Sequence, residues 1–367
     1  ELRLHPYLFP TGLGGEPSFA TGCHPERVAR EYWVHVRRAL LRVKIDRIGL
    51  GGYLHLVTPF PEFQEEIAQI ANQFRTLRTL HEAGAPWSTG LRVGVLQSWG
   101  PLRTWNCSGH MHEHPELPLN HLYEAMAGMP LEMRVLSLED IAASGVPEDI
   151  DVLLNAGRAG DAWSGGDIWQ NTALKAAINA YITCGGALIG VAEPSAAQGD
   201  MRYFQMADAL GVDREVGSTI CVGKYAFRIA SDHFILKGQT TAVVFHNAVD
   251  GVYALNERTV VLAGKDDEVV LAVNQFGRGR AVYLNGFTYT SENTRLLYRA
   301  FLWASRREAL ADIAMPEDPS CECAYFPAVK QLVTVNNAPH AVYTRVCTPD
   351  GICEVQLPPQ GIVIKTL

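Results

Sequence analysis

The sequence predicts an α/β protein in three parts: the end of a (β/α)8 barrel, a doubly wound α/β domain and a small β-sandwich. Three observations predict this. The first 80 or so residues read helix, strand, helix; from Leu91 short, continuously apolar strands alternate with helices; beyond Pro316 only short β-like runs remain. Buried strands between helices imply a parallel sheet covered on both faces.

The elements follow in order. Glu26 to Leu41 carries Val28, Tyr32, Val36, Ala39 and Leu40 at close to helical spacing, and Pro25 suits a first turn. Ile45 to Leu50 is a short apolar strand running into Gly51-Gly52-Tyr53, and Pro61 to Leu80 places Phe63, Ile67, Ile70 and Phe74 on one helix face. This is the expected barrel ending, residues 1–84, closed by the Gly-, Pro- and Ser-rich stretch Gly84 to Gly90.

The doubly wound domain is expected over residues 91–312. Its strands are Leu91 to Gln97, Glu132 to Leu136, Asp151 to Asn155 and Ala187 to Val191, with helices near Asn120 to Gly128 and Asn171 to Thr183. Val252 to Asn285 then reads as consecutive strands, two of them joined by a hairpin at Gly277-Arg278-Gly279, and Glu292 to Ser305 as a closing helix. The β-sandwich, residues 317–367, contains the runs Leu332 to Val335, Ala341 to Val346, Ile352 to Leu357 and Gly361 to Thr366, separated by Asn-Asn, Pro-Asp-Gly and Pro-Pro turns.

Composition narrows the function classes. The chain has 367 residues, 47% hydrophobic and 19% charged, with a formal net charge of −8. That charge opposes tight binding to nucleic acid, which rests on clustered Lys and Arg. No apolar run approaches the ~20 residues that cross a bilayer, so no membrane partner is expected. Cys23, Cys107, Cys184, Cys221, Cys321, Cys323, Cys347 and Cys353 are scattered without a dense framework, favouring reduced thiols and a cytoplasmic location. Glu1-Leu2-Arg3-Leu4-His5 alternates like a strand already under way and lacks the order of a signal peptide. The expectation is a piece of a longer chain.

Several stretches could carry chemistry. Gly51-Gly52-Tyr53 falls at the carboxyl end of a barrel strand, the face where barrels bind ligands. Adjacent glycines let backbone N–H groups approach an anion, and Tyr53 could stack on a sugar; a tight turn with a core aromatic fits the same residues. Arg47 could contact an oxyanion, or form a salt bridge at the closed end of the barrel. His110, His112, His114 and Cys107 carry zinc-type donors but lie in a Gly- and Pro-containing stretch without a second cysteine pair, so a loop is expected and no metal. Asp161 to Gly166 follows a strand at the sheet's carboxyl edge, where a loop without a phosphate fingerprint is expected. After the strand Ala187 to Val191 the turn Val191-Ala192-Glu193-Pro194 has no Cys or Ser at its apex, so it lacks a nucleophile; Glu193 is expected to accept hydrogen bonds from nearby backbone.

Leu4-His5-Pro6-Tyr7-Leu8-Phe9-Pro10, Asp46-Arg47-Ile48-Gly49-Leu50-Gly51-Gly52-Tyr53-Leu54 and Trp99-Gly100 … Arg103-Thr104-Trp105 resemble the galacto-N-biose/lacto-N-biose phosphorylases. The similarity continues through Asn155-Ala156-Gly157, Gly185 to Ser195 and Leu210-Gly211-Val212-Asp213. Between Pro10 and Glu26 the sequence departs from the family's pattern, with Thr11-Gly12-Leu13-Gly14-Gly15 after the Phe-Pro pair.

The resemblance implies a barrel, an amidotransferase-like central domain and a carboxyl-terminal β domain. It implies cleavage of a β-galactosyl linkage by inorganic phosphate with inversion, giving α-galactose 1-phosphate, in a homodimer without a cofactor. It places the general acid in a barrel segment upstream of Glu1, so no catalytic residue is expected in this chain. It puts Arg47, Gly51, Gly52 and Tyr53 on the substrate or phosphate, with Trp99, Arg103 and Trp105 as a lid. The competing reading is a non-catalytic oligomerisation or sugar-binding module.

Overall fold

The computed structural model describes residues 2–4, 24–50, 60–98, 118–197, 202–217 and 224–367. The chain divides into two compact units: Glu1–Trp87 with Ala127–Pro130 and Asp312–Leu367, and Ser88–Met126 with Leu131–Ala311.

In the first unit Leu2–Leu4 (β1) pairs in parallel with Ile48–Leu50 (β2). Parallel neighbours need a long crossover, and Pro25–Leu40 (α1) is the helix within it. Proline opens both α1 and the helix after β2, Pro61–Ala83 (α2), where its missing N–H costs no hydrogen bond. The strand begins at Ile48 rather than Ile45, because residues 41–47 form turns. Phe63, Glu66, Ile70, Phe74, Leu77 and Leu80 make the buried stripe of α2.

The carboxyl-terminal residues belong to the same unit. Cys321–Phe326 (β12), Gln331–Asn336 (β13) and Ile362–Thr366 (β16) form a three-stranded antiparallel sheet, and Val342–Thr348 (β14) and Gly351–Leu357 (β15) a hairpin. Ala324, Phe326, Val333 and Val335 share one core with Ala29, Trp33, Leu40 and the α2 stripe. Cys321, Cys323 and Tyr325, on the opposite face of β12, join the core of the hairpin. Two-faced burial gives β12 a near-continuous buried run, where the hairpin strands β14 and β15 alternate.

A basic face of α1 fixes this packing. Arg37 is 0% exposed and donates to the carbonyls of Gln360 and Asn336, both at 2.6 Å. Arg38, 1% exposed, makes a two-pronged contact with Glu322 at 2.6 and 2.8 Å. Burial pushes the Glu322 carboxyl up, but the Arg38 guanidinium, joined by Asn337 and Arg42, outweighs it and holds the group below its ordinary value.

The second unit contains a seven-stranded sheet in the order β4-β3-β5-β6-β11-β10-β9. Its strands are Arg92–Gln97 (β3), Glu132–Ser137 (β4), Val152–Gly157 (β5), Ala187–Ala192 (β6), Val260–Lys265 (β9), Glu268–Phe276 (β10) and Gly279–Leu284 (β11). The first five in that order run parallel, and β10 runs antiparallel to β11 and β9. Residues 277 and 278 close the β10–β11 hairpin, as the Gly-Arg-Gly stretch predicts. The helices are Pro118–Met126 (α3), Leu138–Ser144 (α4), Thr172–Thr183 (α5), the single turn Ala207–Leu210 (α6) and Ser291–Ala304 (α7). The two-stranded pair Val212–Arg214 (β7) and Val252–Ala254 (β8) lies outside the main sheet.

Candidate functional site

Sequence order along the sheet locates the site. From β3 the chain moves outward to β4, then returns on the other side of β3 to β5 and β6. The carboxyl ends of β3 and β5 are therefore a topological switch point, where successive loops diverge and leave a crevice. A cavity of about 680 Å³ opens there, lined by Ser98 after β3, Gly160, Gly165 and Asp167 after β5, and Ala197 and Tyr203 after β6.

The loop after β5 is organised by Asp161. Its carboxylate accepts backbone N–H groups from Arg158 at 2.7 Å, Trp163 at 3.0 Å and Ser164 at 2.6 Å. A Cβ on Gly157 would lie 2.5 Å from the Asp161 carboxylate, and Gly157 has φ +129°, so this position requires glycine. Burial pushes the Asp161 carboxyl up to about 6; the three N–H donors pull it down and Glu193 pushes it further up.

The turn after β6 is organised by Glu193. As the sequence leads one to expect, its carboxylate accepts from backbone, the Ala159 N–H at 3.0 Å. It also accepts the Tyr203 hydroxyl at 3.0 Å and pairs with Arg214. Burial, with Glu193 next in weight, pushes the Tyr203 hydroxyl up to about 12. Asn155, in the carboxyl-terminal half of β5, bonds both turns. Ala192, at the apex after β6, has φ +62°. A sharp turn after a buried strand is where hydrolases of doubly wound topology seat a nucleophile; here the residue at positive φ directly ending β6 carries only a methyl group. Ser195 is 1% exposed and its Oγ accepts the Met206 N–H at 3.0 Å, while exposed Cys184 caps the far end of α5.

The carboxylates of Asp161 and Glu193 are thus engaged in holding loops. No group of three metal-ligating side chains occurs among the described residues, and no described helix is long and apolar enough to cross a membrane.

Of the residues singled out in sequence, Arg47 is exposed and immediately precedes β2. Gly51, Gly52 and Tyr53, Trp99, Arg103 and Trp105, and Cys107 with His110, His112 and His114 lie outside the described residues. The loop from Asp161 to Gly166, read as plain from sequence, lines the cavity through its two glycines. Ser98, Tyr203 and Arg214 had no local signal: each reaches the site from a different strand end or loop.

Residues 92–309 match the family described as Lacto-N-biose phosphorylase central domain, residues 1–89 the Lacto-N-biose phosphorylase N-terminal TIM barrel domain, and residues 317–365 the Lacto-N-biose phosphorylase C-terminal domain. The chain belongs to the lacto-N-biose phosphorylase family. It is 41% identical over 338 residues to a D-galactosyl-beta-1->4-L-rhamnose phosphorylase of Lachnoclostridium phytofermentans, a match that takes in 92% of this chain and 46% of the relative. It is 34% identical over 398 residues to a 1,3-beta-galactosyl-N-acetylhexosamine phosphorylase of Bifidobacterium longum, covering 99% of this chain and 52% of the relative. The chain thus spans about half the length of these curated relatives. A solved β-galactosidase of Rahnella sp. R3 shares the fold at TM-score 0.52 and 11% identity, over 91% of this chain and 51% of that one.

Proposed function

We propose that this chain works as part of an inverting glycoside phosphorylase that cleaves a β-1,3-galactosyl-N-acetylhexosamine with inorganic phosphate to give α-galactose 1-phosphate. The observation that carries this reading is the run of three lacto-N-biose phosphorylase domains, in order, along one chain. In such a reaction a phosphate oxygen attacks the anomeric carbon opposite the leaving oxygen, so the configuration inverts. One carboxylic acid protonates the leaving oxygen, and phosphate replaces the base and water of a hydrolase.

On this reading the general acid lies outside this chain, in an earlier barrel segment. Gly51 and Gly52 bring backbone N–H groups to phosphate, Tyr53 stacks on sugar, Arg47 supplies charge, and Trp99, Arg103 and Trp105 cover the mouth. The central domain is an amidotransferase-like scaffold whose nucleophile position holds Ala192, and the carboxyl-terminal strands form a small β-sandwich. The division into domains is 1–84, 91–312 and 317–367, and the assembly is a cytoplasmic homodimer without a cofactor.

One observation favours a second reading, a non-catalytic sugar-binding module: the 680 Å³ crevice sits in a domain with no nucleophile at its elbow. Assays of galactosyl-β-1,3-N-acetylhexosamines and galactosyl-β-1,4-rhamnose, with and without phosphate, separate the two. The phosphorylase reading expects phosphate-dependent cleavage when the upstream barrel is supplied and none from this chain alone. Cleavage by this chain alone would overturn the assignment of the acid. Galactoside binding by this chain in calorimetry, with no cleavage by the barrel-complete protein, would establish the module.

A further inference from the structure

The strand β4 ends the central sheet, with no neighbour on its outer side among the described residues. An open edge of this kind presents unpaired N–H and C=O groups and is a template for another strand unless something protects it. Which groups it presents follows from its pairing with β3. Glu132 donates its N–H to the Leu91 carbonyl at 2.8 Å, and the parallel register sets Arg92 beside Glu132 and Val93 beside Met133. Even-numbered residues of β4 therefore bond to β3, and Met133 and Val135 direct their backbone groups outward.

Two further features set this edge apart. Met133 is 47% exposed and Val135 45% exposed, on the same face of the strand. Their neighbours Glu132 and Arg134, on the other face, are exposed charges of opposite sign. The usual guards of an edge, proline or a run of like charge, are missing from Glu132–Ser137.

The geometry points to β4 as the seam of a homodimer, in which two copies pair β4 antiparallel about a two-fold axis and join their sheets edge to edge. The inference rests on the homodimer reading above for the identity of the partner, and adds the surface and the register. Charge selects the register. A two-fold axis at Arg134 would set Arg134 against its own copy, and like charges directly opposite are destabilising. An axis at Met133 sets each Glu132 opposite Arg134 of the other copy, and Met133 opposite itself. In that register Met133 forms the hydrogen-bonded pair, as its outward backbone groups require. Each new Glu132–Arg134 contact also extends the exposed charges already present, Arg134 with Asp149 at 3.2 Å and Glu132 with Arg92 at 3.1 Å.

The test is sedimentation of the 367-residue chain and four variants, with circular dichroism as the check on folding. The chain is expected to be a dimer. Glu132→Arg and Arg134→Glu each replace two attractive contacts with two repulsive ones, so each is expected to weaken the dimer by about 30-fold or more. The double variant Glu132→Arg/Arg134→Glu restores the complementarity and is expected to restore the dimer, which a merely structural role for either charge would not do. Met133→Lys, at an exposed position that leaves the fold intact, is expected to give monomers. A wild-type chain that stays monomeric at tens of micromolar overturns both the seam and the homodimer reading. A wild-type dimer indifferent to all three changes overturns the seam alone.

Discussion

The side-chain oxygen of Asn155 accepts the backbone N–H of Ser195 at 2.5 Å, while its amide nitrogen donates to the Trp163 carbonyl at 2.7 Å. One amide in the carboxyl-terminal half of β5 thus bonds both loops that border the crevice. Asn155→Ala would take this side chain away from the buried Ser195 N–H and from the Trp163 C=O. The expected loss is about 2–4 kcal/mol, from the cost of orphaning buried polar groups. Urea unfolding of wild type and variant measures it, and a loss within 0.5 kcal/mol, the range of ordinary surface changes, would remove Asn155 from this role.

Ala192 holds φ +62° with its methyl group buried. A β-branched side chain in that conformation is a steric outlier. Ala192→Val is expected to destabilise by about 2–3 kcal/mol, whereas Ala192→Gly should stay within about 1 kcal/mol, since glycine adopts positive φ freely. Equal effects of the two substitutions in denaturant titrations would contradict a strained apex.

Asp161 supplies a pH dependence whose sign can be fixed. Its carboxyl is raised from 3.8 in the unfolded chain to about 6 by burial. Between these values the folded protein keeps a proton that the unfolded chain has released, so its contribution is full below the lower value and lost as pH rises through about 6. The size is on the order of 2–3 kcal/mol. Asp161→Asn removes this titration. Unfolding free energies at pH 4 and pH 7.5 should show wild type losing stability relative to the variant as pH rises, and a constant difference would contradict the assigned shift.

Arg38, which is buried, and Glu322, which is largely so, form an ion pair that ties α1 to β12. Removing one partner strands a charge, so Arg38→Met or Glu322→Gln alone should cost about 3–5 kcal/mol. The double variant should cost clearly less than the sum, because neither charge is then left behind. Strict additivity in a double-mutant cycle would show that the pair is not coupled.

Much of this was legible in the sequence, for physical reasons. The strands Leu91 to Gln97, Asp151 to Asn155 and Ala187 to Val191 announce themselves because a parallel sheet buries both faces and demands unbroken apolar runs. The empty elbow at Ala192 and the acceptor role of Glu193 were legible because strand, turn and proline lie together in the chain. What escaped notice had its cause at long range. Strand β12 contains Glu322, a largely enclosed charge that Arg38 meets from a helix 284 residues earlier in sequence. Helix α4, with seven residues, is too short for periodicity to register. The crevice combines Ser98, the Gly165 loop and Tyr203, which no local pattern connects.

The most direct test of the phosphorylase account is the product formed from a β-1,3-galactosyl-N-acetylhexosamine and inorganic phosphate by the barrel-complete protein. Phosphorus and proton NMR of the first product before it can equilibrate identify both the ester and its anomer. The account predicts α-galactose 1-phosphate, formed only when phosphate is present. Free galactose released without phosphate, or the β-anomer of the phosphate ester, would contradict it.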